Sequence, residues 1–253
     1  MSNDPIHQFH INPVPGLPAI HLFGVDATFT NASLFMVAGA GLASYFMMRA
    51  MKPAAMVPGR MQVAAETFYG FIRGMVADSA GEEGVKRFFP FVFTLFMFIF
   101  MANMLGMFPY WFASTSQIVI TATMALMVFF TVIGVGIAKN GLKFFKIFVP
   151  SGVPWYILWF VIIIEIISFF SRPLSHAVRL WANILAGHLV LKVFAGFVPM
   201  MAAAGFVGVL GAVLPLGMTV ALYALEFLVA FLQAYVFAML TCVYLNDALH
   251  PGH

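Results

Sequence analysis

Between Trp155 and Leu245 the chain runs for 91 residues with only five charged side chains: Glu165, Arg172, Arg179, Lys192 and Glu226. No water-soluble domain of this length can be built from such a stretch, because its surface needs a charged coat. The whole chain repeats the pattern, with 21 charged residues among 253, or 8%, and a mean hydropathy of +1.00. Soluble folds carry about a quarter. Soluble enzymes, nucleic-acid binders and disordered chains are excluded. The expected fold class is an all-α polytopic membrane protein forming a single integral membrane domain, 1–253. The lone Cys242 allows no internal disulfide.

The other 16 charges sit where a membrane protein keeps them in water. The N-terminal segment, 1–31, holds Asp4 and Asp26 and is broken by Pro5, Pro13, Pro15 and Pro18, so it reads as an extramembrane segment and not as a signal peptide. A first span follows at 32–48. The mixture of Val63, Phe68, Phe71 and Ile72 with Glu66, Arg73 and Asp78 at 62–81 suits a helix lying in the interface. Two spans, joined by an uncharged turn at 112–116, form a hairpin over 88–138. Basic residues set the orientation. Arg49, Lys52, Arg60, Arg73, Lys86 and Arg87 follow the first span, and Lys139, Lys143 and Lys146 follow the third. The positive-inside rule makes both loops cytoplasmic and puts the N-terminus outside.

The stretch 155–198 would be about 66 Å long as a helix, roughly twice the hydrocarbon thickness. Pro199 separates it from a second stretch of similar length, 200–245. Each could be two short spans, giving seven crossings, or one long tilted helix, giving five. Five is favoured. A break in the first stretch would fall near Pro173, where no Gly, Asn or Asp cluster supports a loop. Glu165, Arg172 and Arg179 are instead seven residues apart, a spacing that drifts only about 20° per step around a helix. Ser168, Ser171, Ser175 and Asn183 lie on or near that side. The polar stripe continues through the supposed break, as expected of one tilted helix in a tilted helical hairpin, 155–245, with the C-terminus cytoplasmic.

Ionisable groups inside a membrane cost several kcal/mol and mark functional sites by default. Arg179 cannot lose its proton to relieve burial. Glu165, about 21 Å away along the helix, is out of reach. A negative partner must therefore come from elsewhere in the fold or from another chain. His188 and Glu226 both lie toward the Pro199 side, so a staggered hairpin brings them together, and an imidazole with a carboxylate makes a proton relay. On spacing alone, two independently hydrogen-bonded polar groups fit as well. Gln233, seven residues after Glu226, shares its face. Asn103 and Thr94 read as core or lipid-facing material, and the glycines at 205, 208, 211 and 217 as close helix packing. The histidines, His176 included, lack metal-ligand spacing, so neither a metal nor another cofactor is expected.

The run SRPLSHAVRLWANILAGHLV (171–190) resembles the signature of subunit a of the F-type ATP synthase, and LEFLVAFLQAYVFAMLTCVYL (225–245) resembles that family's last helix. The resemblance implies a stationary, non-catalytic proton-channel subunit. Its partners would be the rotating c-ring of subunit c, the peripheral-stalk subunit b and the rest of the synthase. Its place would be a bacterial inner membrane, with lipid around it and no nucleic acid. Arg179 would face the ring carboxylate and separate two offset half-channels. Asn183 and Gln233 would flank that contact, His188 and Glu226 would fill the acid and base positions of the outer channel in exchanged order, and Glu165, Ser168, Ser171, Arg172 and Ser175 would line the cytoplasmic one. His176 departs from the family, which usually has an uncharged residue there. The competing class is a proton- or anion-coupled secondary transporter binding its solute at Arg179. Such proteins usually show internal repeats, and none is apparent here.

Overall fold

The computed structural model describes residues 10–15, 21–22, 25–26, 28–51, 59–108, 111–149 and 154–249. Asp4, His7, Lys52, His250 and His253 lie outside the described residues, as do the side chains of His21, Asp26, Lys143 and Lys146. The order of elements is β1 (His21–Leu22), β2 (Val25–Asp26), α1 (Asn31–Ala50), α2 (Arg60–Gly106), a 3-10 turn (Ser114–Ser116), α3 (Ile118–Asn140), a 3-10 helix (Gly141–Phe148), α4 (Trp155–Ala202) and α5 (Phe206–Leu249). All five α-helices are long and apolar enough to cross a membrane. The fold is all-α and polytopic, with one two-residue antiparallel ribbon as an addition the sequence did not announce.

Helix boundaries follow from local chemistry. Asn31 accepts the Ala32 amide at 2.8 Å and donates to the His10 carbonyl at 3.0 Å, which ties the N-terminal segment to the start of α1. Within α2 the ladder breaks at Gly81, at φ 69° and ψ 178°. That region is essentially open only to glycine. The break divides α2 into a mixed polar segment and an apolar one, and it coincides with the end of the expected interfacial segment. Glu82 and Glu83 follow it, at the N-terminal end of the second segment, where acidic groups are favoured.

Both long helices are continuous. α4 has 48 residues and passes through Pro173 and Pro199 without a break, and α5 has 44 and passes through Pro215. The reversal between them is not at Pro199, where the sequence placed it. Pro199 sits in the last turn of α4, its carbonyl accepting from the Ala203 amide at 3.1 Å. The chain turns at Gly205, which takes φ 85°, a conformation side chains resist. A Cβ at Gly208 would overlap the Met201 carbonyl, so the hairpin closes only with glycine there.

Cα packing groups the chain into two units. The first is Met1–Ala43, Phe98–Gln117 and Leu180–Gln233. Its core holds Ala102, Leu105, Leu180, Ile184 and Ala230, and Gly39 lets α1 approach the Ala102 backbone closely. The 112–116 turn is buried in this unit, from Phe112 at 6% exposed to Ser114 and Thr115 at 1%. The second unit is Ser44–Met97, Ile118–Arg179 and Ala234–His253. Ile72, Val76, Val92, Phe96, Val128, Phe237 and Leu245 form its core, and the Phe144 ring fills the space that Gly136 leaves open. Asn140 donates to the Ala248 carbonyl at 2.7 Å, satisfying a carbonyl in the last turn of α5.

Candidate functional site

In the first unit, α4 and α5 bring two polar pairs together. Asn183 donates to Gln233 Oε1 at 2.8 Å, which fixes the orientation of the buried Gln233 amide. His188 Nδ1 lies 3.7 Å from Glu226 Oε1. That is ion-pair range but too long for a direct hydrogen bond, so proton transfer needs closure by about 0.5 Å or a bridging water. Glu226 is 5% exposed, and neither of its oxygens has a hydrogen-bond partner among the described residues. The approach depends on Gly187: a Cβ there would stand 2.7 Å from Glu226 Oε1. The stagger that the unequal distances from the turn require is thus realised by a glycine beside the histidine.

Two further polar groups lie in this unit, and neither carries a functional role read from the sequence. Tyr223, one helical turn before Glu226, donates to the Met107 carbonyl at 2.5 Å. Asn103, read from sequence as core or lipid-facing, is 2% exposed and donates to the Ala230 carbonyl at 3.2 Å, leaving its own Oδ1 without a partner. The only signal for Tyr223 was its three-residue spacing from Glu226. For Asn103 it was an amide in an apolar span, which more often serves as interhelical glue.

The second unit carries a different polar group. Arg172 Nη1 bonds Asp247 Oδ2 at 2.9 Å, and its guanidinium lies over the Tyr244 ring, 5.2 Å from the centroid. The sequence counted Asp247 among the surface charges. The structure makes it the partner of an intramembrane arginine 75 residues away. Ser171 donates to the Ser168 carbonyl at 2.8 Å, so its hydroxyl is spent within its own helix. Glu165 and Ser168 are half-buried and Ser175 is exposed. His176 is 3% exposed, its ring packed on Phe237 with centroids 3.9 Å apart.

Arg179 is exposed, at the end of the Ile118–Arg179 segment of this unit, and forms no ion pair with any described carboxylate. Of the five spans, α4 is the least covered, with 6% of its most apolar window buried against 50% for α2. The fixed positive charge is therefore displayed on a helix that the rest of the chain leaves largely bare. Lys192, half-buried one turn beyond His188, has the length to snorkel.

Comparison with known proteins fits this arrangement. The family model for the ATP synthase A chain matches residues 32–246. The chain is 60% identical to ATP synthase subunit a of Rhizobium johnstonii over 252 residues, covering 100% of this chain and 99% of that one. It is 58% identical to that of Parvibaculum lavamentivorans, covering 99% and 95%, and 56% identical to that of Rhodopseudomonas palustris strain HaA2 over the full length of both. With matches that span nearly every residue, the two long helices and Arg179 included, the chain belongs to the ATP synthase A chain family.

Proposed function

We propose that this chain is the stationary proton-translocating subunit of a rotary ATP synthase, one integral membrane domain in a bacterial inner membrane, with ATP chemistry performed elsewhere in the complex. The observation that carries the reading is Arg179, a permanent cation exposed on a bare membrane helix without a carboxylate partner among the described residues. A carboxylate on each subunit of a c-ring supplies the partner in trans. Subunit b and the rest of the synthase hold the chain still.

A protonated ring carboxylate is neutral and tolerates lipid, whereas an ionised one does not. Protons therefore cross only if they are loaded on one side and released on the other as the ring turns. His188 and Glu226, flanked by Asn183 and Gln233, serve the outer half-channel. Glu165, Ser168, Ser171, Arg172 and Ser175 serve the cytoplasmic half-channel. In chain order Arg179 stands between the two sets. Its charge favours the ionised form of an arriving carboxylate, and it blocks direct passage, because hydronium is repelled and a guanidinium does not relay protons. Each charge crossing 100 mV releases about 2.3 kcal/mol. Several protons per ATP are needed, which a rotor that accumulates steps provides.

Gentle detergent extraction of the tagged chain from its native membrane tests the reading. The c-ring should co-purify in constant ratio. A chain that purifies as a stable monomer and retains solute transport on its own would favour the secondary transporter.

A further inference from the structure

The second unit contains a cleft lined by Val128, Phe129, Phe169, Arg172, His176 and Tyr244, among others. Its walls are mostly apolar, and it leaves room for about one water molecule among its side chains. His176 is the unexplained member. It is 3% exposed, and its Nε2 has no hydrogen-bond partner among the described residues. Burying an imidazole nitrogen unpaired is costly, because its hydration is lost without a replacement. A leucine would pack against Phe237 and Tyr244 without that cost. The cleft borders the Arg172–Asp247 pair on one side, and along α4 His176 is one turn from Arg179.

Resting on the proton-translocating reading above, we propose that His176 is an additional proton-exchanging side chain on the cytoplasmic side, working through a water held in the Arg172 cleft. In the synthesis direction, a proton leaving the carboxylate opposite Arg179 passes to His176 Nε2, forming the imidazolium. The same nitrogen then gives it to the cleft water, which hands it on past Arg172 and Asp247. Only N–H and O–H bonds form and break, and the histidine ends in its starting state. The charged and titratable groups around it are Arg172 and Arg179 on α4 and Tyr244 on α5, with Asp247 held by Arg172; the cleft residues from α3 are Ala125, Val128, Phe129 and Val132, none of them titratable. Histidine suits the task because its second ring nitrogen can take up a proton and give it back, which the amides of asparagine and glutamine do not do.

The test uses the intact synthase in native membranes, with proton-driven ATP synthesis measured while cytoplasmic-side pH is varied from about 5.5 to 8.5, across the histidine range. His176→Gln keeps size and hydrogen bonding but cannot titrate; His176→Leu removes both. Both should assemble and lower the rate about three- to tenfold, a modest loss for a relay group that water can partly replace. Both should also flatten the pH dependence. If His176→Gln retains the wild-type rate and pH profile, the proposal is overturned whatever happens to His176→Leu, and the residue's role is packing or hydrogen bonding. Should His176→Leu fail to assemble, the Gln variant decides alone. Arg179→Ala run in parallel separates the two levels: normal synthesis in that variant overturns the proton-translocating reading itself, and with it this inference.

Discussion

Replacing Arg179 by Ala should lower proton-driven ATP synthesis at least about 100-fold while the complex still assembles. The size follows from what the residue opposes. Truncating one partner of a desolvated charge pair costs 2–5 kcal/mol or more, and each 1.36 kcal/mol is tenfold in rate. Without the guanidinium, an arriving ring carboxylate has no counter-charge in a region that disfavours its ionised form, so proton release stalls. Assembly should survive because Arg179 is exposed and makes no ion pair within the described chain. Synthesis rate and subunit stoichiometry of the purified complex check the two halves separately. Near-normal synthesis in a fully assembled variant would remove Arg179 from the mechanism.

The second large effect concerns His188 and Glu226. Each single change to Ala should cost about tenfold in synthesis, less than the roughly 100-fold or more for loss of a positioned general acid or base, because water can partly replace a relay group. The double Ala variant should be little worse than either, because residues acting as one unit are not additive. Exchanging the two, His188→Glu with Glu226→His, should recover to within about threefold of wild type, a coupling that a double-mutant cycle measures directly. The geometry sets one condition. Gly187 must stay, since the side chain at 226 already fills the space its missing Cβ leaves. An exchange no better than the singles would mean that the 3.7 Å approach is only packing.

Much of this was legible in the residues because membrane physics leaves few choices. Scarcity of charge fixed the fold class, and the seven-residue spacing of Glu165, Arg172 and Arg179 distinguished one long helix from two short ones. Pairings between distant residues were harder. Asp247 looked like a surface charge near the C-terminus, and only the register of α5 against α4 makes it Arg172's partner. Asn103 gave no sign of the Ala230 carbonyl it bonds. The turn was misplaced because proline is a strong breaker in water, yet a membrane helix tolerates it. What stops α4 is the positive φ available at Gly205. The buried 112–116 turn was likewise hidden, since a short uncharged loop reads the same whether it is wet or tucked inside.

The same register that hid Asp247 explains the uneven reading of the candidate site. Residues on a single helix face, such as Arg179 and Asn183, follow from periodicity alone. Residues that meet across a hairpin need the stagger, and that depends on where the turn falls and on which positions lack a Cβ. Gly187 and Gly208 set it, and neither could be ranked above the other glycines before the structure.

The most direct measurement is proton flux through the intact complex in liposomes under a fixed potential, before and after the rotor is covalently locked to the stator. If protons cross only on the carboxylates of a turning ring, locking should abolish flux, and cleaving the cross-link should restore it. Flux that continues at the unlocked rate would mean that this chain conducts by itself and that no rotor is required.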